Sequence, residues 1–187
     1  DWSSDVCSTD LTGFNAPTPT TVLGVQELQA TAPISIGDAL KLQVPAFRTS
    51  GISSTAVSLA NLRTLGANRT LVLINGRRIV PTQPDGTVDL NMIPSALIER
   101  AEVVTGGASA AWGSDAVAGV VNMGLKTKLQ GFEGSVQGGI SKYGDKKNYK
   151  ASVAYERAFA GDRGHVIVGA EYARDYGIED LQRTEEH

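Results

Sequence analysis

The chain is poor in the residues that most site chemistry needs. Its 187 residues include one cysteine and two histidines. A single cysteine excludes a disulfide framework and a cysteine zinc site. No run approaches the roughly 18 apolar residues of a transmembrane helix. No basic n-region leads into an apolar h-region, so no signal peptide is expected. Charged residues make up only 20% and branched aliphatics are plentiful, which excludes a disordered chain. Transmembrane β-strands escape these exclusions, because their signal is alternation and not a long apolar run.

The two ends share no pattern with the middle. Residues 1–11, DWSSDVCSTDL, read as the conceptual translation of a short-read sequencing adapter, and residues 183–187, RTEEH, as its opposite strand. Both are expected to carry no fold of their own. Setting aside Asp1, Asp5, Asp10, Glu185 and Glu186 together with Arg183 leaves 15 acids against 16 bases, so the acidic balance belongs to the ends. Cys7 and His187 leave with them, and His165 is then the one histidine. The remainder reads as a fragment of a longer protein.

Residues 12–22, with two prolines and many threonines, predict an extended lead-in. A short helix is expected at 24–31, stopped by Pro33. Ser35 and Asp38 form a capping-box pattern opening a helix with Ile36, Leu40 and Val44 on one face, ending before Pro45. Residues 46–56 read as a loop and 57–62 as a strand. Thr70–Ile74 is an apolar β run, and Asn75-Gly76 before Arg77–Val80 is a strong hairpin signal. Asp85-Gly86 marks a turn, and Pro94 suits the start of a helix running to about Glu99. Residues 101–105 and 119–126 read as strands, separated by a small-residue, glycine-rich stretch in which Trp112 is the one large side chain.

From 131 the pattern changes to strict alternation, predicting antiparallel strands near 131–141, 148–159 and 164–174. Val136, Ile140, Val153, Tyr155, Val168 and Tyr172 should share one face, and Glu133, Gln137, Lys150, Glu156 and Glu171 the other. Alternation of this kind fits a soluble sandwich or a membrane barrel.

Catalysis finds little support. His165 opens a strand and is expected to be solvated or packed in a turn, so a Ser-His-Asp or Cys-His arrangement lacks its base. The glycines at 106–113 match neither a phosphate loop nor a dinucleotide fingerprint. Asp89 and Asp115 read as caps or turn residues. No enzyme is expected. The arginines Arg63, Arg69, Arg77, Arg78 and Arg100 cluster in the first part of the chain with few local acids beyond Glu99 and Glu102. A net charge near zero and no aromatic interleaving argue against nucleic acid.

Five blocks in order then carry a resemblance. They are Asn61-Leu62-Arg63-Thr64-Leu65-Gly66 with Arg69 to Arg78, Val88-Asp89-Leu90-Asn91-Met92-Ile93-Pro94, Ile98-Glu99-Arg100-Ala101-Glu102-Val103, Gly106 to Ser114, and Gly119-Val120-Val121-Asn122. This order resembles the plug domain of TonB-dependent outer-membrane receptors, over about residues 14–126, with 131–177 resembling the first barrel strands. Thr64 stands where that family usually has Gly, and Trp112 where Tyr is commoner.

The resemblance implies an α+β fold: a plug-type unit at 12–127 with a small mixed sheet and short helices, then an antiparallel β-meander at 128–182 that starts a transmembrane β-barrel. It implies energised import of a scarce nutrient (a siderophore, a cobalamin-like compound or a carbohydrate) across the outer membrane of a Gram-negative-type bacterium. The partners implied are a TonB-type protein of the inner membrane, acting through a segment not seen here, outer-membrane lipid and a small nutrient ligand, with no cofactor. Arg63, Arg100, Glu99 and Glu102 are the expected plug–barrel charge contacts, and Gly106, Gly107, Trp112 and Gly113 the expected gating loop. The alternative is a soluble periplasmic binding or signalling module with a β-sandwich.

Overall fold

A computed structural model describes residues 19–30, 35–50, 57–106, 108–129, 131–140, 147–159 and 163–176. Both terminal segments read above as adapter translation lie outside the described residues, as does Gly107. The chain divides into two compact units, one of residues 1–93 and 98–126, the other of residues 94–97 and 127–187.

The first unit is built on a mixed five-stranded sheet. Its strands are β1 (Thr20–Gly24), β4 (Thr70–Ile74), β5 (Arg77–Arg78), β6 (Ile98–Thr105) and β7 (Gly119–Leu125), in the order β1-β6-β7-β4-β5. Only β4 and β7 run parallel. The near-continuous apolar run of β4 follows from its central place, since a strand covered on both faces has no wet side. Its Val72 joins Val103, Val121 and Met123 in one buried cluster, while Leu71 and Leu73 join Val120 and Ala116 on the opposite face. Helices α1 (Val25–Gln29) and α2 (Ile36–Gln43) contribute Leu28, Ile36, Ala39 and Leu40 to the first cluster. The second face is covered by α3 (Ser109–Trp112) and the 3-10 turn Ser114–Ala116. Full burial of a side chain such as Leu40, Leu62 or Leu73 contributes about 1.5–3 kcal/mol.

Local signals account for most boundaries. Ser35 Oγ accepts from the Asp38 N–H at 3.2 Å and caps α2. Val44, ahead of Pro45, is already extended, as the proline ring requires. Asn75 and Gly76 both take positive φ, 49° and 72°, which turns β4 into β5 across a two-residue loop. Two expectations need correction. Residues 47–50 are not loop: β2 (Phe47–Ser50) pairs with β3 (Leu59–Leu62), because Phe47 is fully buried and pulls its segment onto the core. The turn after Pro94 is a 3-10 helix ending at Leu97, because Ile98 is buried and pairs with Leu125 as β6 begins.

The second unit holds β8 (Phe132–Ile140), β9 (Lys147–Phe159) and β10 (Gly164–Tyr176), an antiparallel sheet ordered β10-β9-β8. Directly opposed residues share a face. Phe132, Tyr155 and Val168 line up across the three strands, as do Val136, Ala151 and Tyr172. The other face carries Gln137, Lys150 and Ala173, then Ser135, Ser152 and Glu171. Burial runs opposite to that of a soluble sheet. Val136 and Val168 are 85% and 60% exposed, whereas Lys150 and Ser152 are 5% and 4% exposed.

Candidate functional site

Two polar constellations stand on the mixed sheet. The first begins with Glu102, a buried carboxylate on β6 facing Asn122 on β7. Its Oε1 accepts from Arg100 Nε at 2.8 Å, and its Oε2 from Asn122 Nδ2 at 2.9 Å. Asn122 Oδ1 in turn accepts from the Gly76 N–H at 2.9 Å. Asn75 Oδ1 closes the same turn by accepting from the Leu125 N–H at 2.8 Å. A buried carboxylate is tolerated only when donors replace its water, and here an arginine and an amide do so. The chain of bonds ties the β4–β5 turn to β7 and, through Asn122, to β6.

Arg100 is half exposed, with Glu99 also within 3.9 Å. Its stem lies over Gly124, where a Cβ would stand 2.9 Å from Arg100 Cγ. The guanidinium thus turns to the two acids nearest in sequence. Arg63 is separate: it sits exposed in the turn after β3, with its N–H donating to the Ala46 carbonyl at 2.8 Å. Of the four residues expected at plug–barrel contacts, Arg100, Glu99 and Glu102 come together and Arg63 does not join them.

The second constellation fixes the glycine-rich segment. Arg78, on β5, forks: Nη1 donates to Asp115 Oδ2 at 2.6 Å and Nη2 to the Trp112 carbonyl. Trp112 packs half-buried on Val120, Leu71 and Leu73. Gly113 ends α3 at φ 88°, a conformation that suits glycine, and Gly106 leaves β6 at φ 150°. The hydrogen bond from Arg78 holds the Asp115 carboxyl below the usual carboxylate range. Trp112 and Gly113 therefore belong to one pinned segment, held by Arg78, which the sequence showed only as one of several arginines, and by Asp115, which it showed as a cap or turn residue. Asn122 was missed as a polar link; a lone amide within the apolar run 119–123 was its signal.

His165 is not simply solvated, as Nδ1 lies 2.7 Å from Glu156 Oε1. Among the described residues, no three His, Cys, Asp or Glu side chains are placed to hold a metal ion. Among them, too, no helix is long and apolar enough to cross a membrane.

Comparison with known proteins adds to this geometry. The family model for the TonB-dependent Receptor Plug Domain matches residues 12–120. The vitamin B12 transporter BtuB of Vibrio vulnificus is 38% identical over 118 residues, covering 63% of this chain and 19% of that protein. A variant of the ferric enterobactin receptor PfeA of Pseudomonas aeruginosa, in complex with enterobactin, matches with a TM-score of 0.66 at 18% identity, over 87% of this chain and 26% of its own. The siderophore receptor PirA of Acinetobacter baumannii matches with a TM-score of 0.63 at 22% identity, over 82% of this chain and 24% of its own. At these identities the two structures speak for the fold. The chain spans about a fifth of the transporter and about a quarter of the receptors.

Proposed function

Because the chain belongs to the family of TonB-dependent receptor plug domains, we propose that residues 12–127 are the plug of an outer-membrane importer and 128–182 the first three strands of its barrel. The plug gates the barrel for energised uptake of a scarce nutrient. A TonB-type protein of the inner membrane supplies the pull, and outer-membrane lipid surrounds the strands.

The observation that carries the reading is the inverted burial of β8–β10. Val136, Ile140 and Val168 are exposed, while Lys150, Ser152 and Ala154 are buried. A barrel in lipid wants its apolar side chains outward and its small and polar ones inward. A soluble sandwich wants the reverse, which disfavours the soluble periplasmic module. For the nutrient, the transporter of vitamin B12 among the relatives supports a cobalamin-like compound, and the two receptors keep a ferric siderophore in view. Arg63, Arg100 and Glu99 are proposed to face the barrel wall, with the buried Glu102 holding Arg100 in place, and Gly106, Gly107, Trp112 and Gly113 are proposed to form the loop that moves during gating.

The test is uptake in cells carrying the full-length protein. Labelled cobalamin and a labelled ferric siderophore should be compared with and without the inner-membrane energising system. Energy-dependent accumulation of one of them is expected. A full-length protein recovered in the soluble periplasmic fraction would sink the reading.

A further inference from the structure

The second unit takes in four residues far from it in sequence, Pro94–Leu97. Their attachment is specific. Glu171, on β10, accepts at Oε2 from the Ser95 N–H at 2.8 Å and from the Ser95 hydroxyl. Its Oε1 lies 3.4 Å from Lys150 Nζ on β9. The lysine is nearly buried and the glutamate mostly so. A charge pair withdrawn from water is stable only if its remaining lone pairs find donors, and the two donors of Ser95 fill that role. Two residues along the same face of β10 is Gly169. A Cβ there would stand 2.7 Å from Leu97 Cγ, closer than carbon atoms pack, so the missing side chain is the seat for Leu97. The step from Ser95 to Leu97 is thus matched by the step from Glu171 to Gly169, which a strand presents on one face.

We propose that Pro94–Leu97 is a docking element seated on the polar face of the strand sheet. Glu171 and Gly169 are its positioning residues, and Lys150 is the charge partner that holds the Glu171 carboxylate from the neighbouring strand. Ile93 and Ile98, on either side, belong to the first unit, so the seated turn is a covalent tether for it. The inference rests on the reading of β8–β10 as the start of a barrel wall, and gives that wall a defined hold on the plug chain.

Hydrogen exchange read by mass spectrometry, on the full-length protein in detergent, tests it. Three variants are compared with the parent: Glu171→Gln, Gly169→Ala, and Gly169→Ala combined with Leu97→Ala. Both single variants should speed exchange over Pro94–Ile98 by about tenfold or more, the scale of a lost hydrogen bond to a charged group in the first and of overpacking against Leu97 in the second. The double variant should return towards the parent, because the shortened side chain makes room for the new methyl group. Exchange over Gly119–Leu125 should not change in any of them. Unchanged exchange over Pro94–Ile98, no recovery in the double variant, or an equal rise over Gly119–Leu125 would each overturn the proposal. If Glu171→Gln does not assemble, Gly169→Ala and its rescue decide alone. A parent that imports neither cobalamin nor siderophore would sink the proposed function and leave this exchange pattern standing.

Discussion

Arg78 and Asp115, 37 positions apart, meet at 2.6 Å, and the same guanidinium reaches the carbonyl of Trp112. One side chain on a two-residue strand therefore fixes both ends of the turn that follows α3. The segment is rich in small residues and has little packing of its own beyond Ala108, Trp112 and Ala116, so a charged clamp replaces what a core would otherwise provide.

The clamp should respond to pH. Asp115 is held below the usual carboxylate range by Arg78, so its contribution is present above the unfolded value and lost as pH falls through the folded one. The segment should be pinned at neutral pH and loosen as the pH falls below the ordinary carboxylate range. In Arg78→Ala the Asp115 carboxyl should titrate higher than in the parent, back towards the ordinary carboxylate range. Carboxyl carbon shifts followed by NMR would show this, and an Asp115 titration identical in parent and variant would refute it. Global stability should barely change, because both groups are open to solvent.

Asn122→Leu should cost about 1–3 kcal/mol, since it strips the buried Glu102 and the Gly76 N–H of a partner together. The loss is read from the urea midpoint. A variant as stable as the parent would mean that water takes over both bonds.

Thr64 occupies the left-handed region at φ 58°, a poor place for a β-branched residue. Thr64→Gly should stabilise by about 1 kcal/mol, the strain of that conformation less the entropy that glycine adds to the unfolded chain. Thermal melts of the two proteins decide it. A lower melting temperature for the glycine variant would show that the bond from Thr64 Oγ1 to the Arg63 carbonyl outweighs the strain.

Much of this architecture is legible in the sequence where a local rule acts alone. The Ser35 cap, the Asn75-Gly76 turn and the alternating faces of β8–β10 each follow from spacing and side-chain type. Boundaries set by distant partners are not legible. Phe47 looks like part of a polar loop until the core that buries it is present, and Pro94 promises a longer helix than the pairing of Ile98 permits. The site divides in the same way. Arg100, Glu99 and Glu102 lie within one strand and could be grouped by eye. Arg78 with Asp115, and Ser95 with Glu171, are joined only by the folded chain, across 37 and 76 positions.

The most direct test of the account sets Val168→Arg against Val168→Leu in the full-length protein, scored by the amount assembled in the outer membrane. Val168 is exposed in the middle of β10 on the apolar face. If that face meets lipid, the arginine costs about 2–4 kcal/mol near the bilayer midplane while leucine is neutral. The account predicts a marked loss of assembled protein for Val168→Arg alone. Equal assembly of the two variants would contradict it.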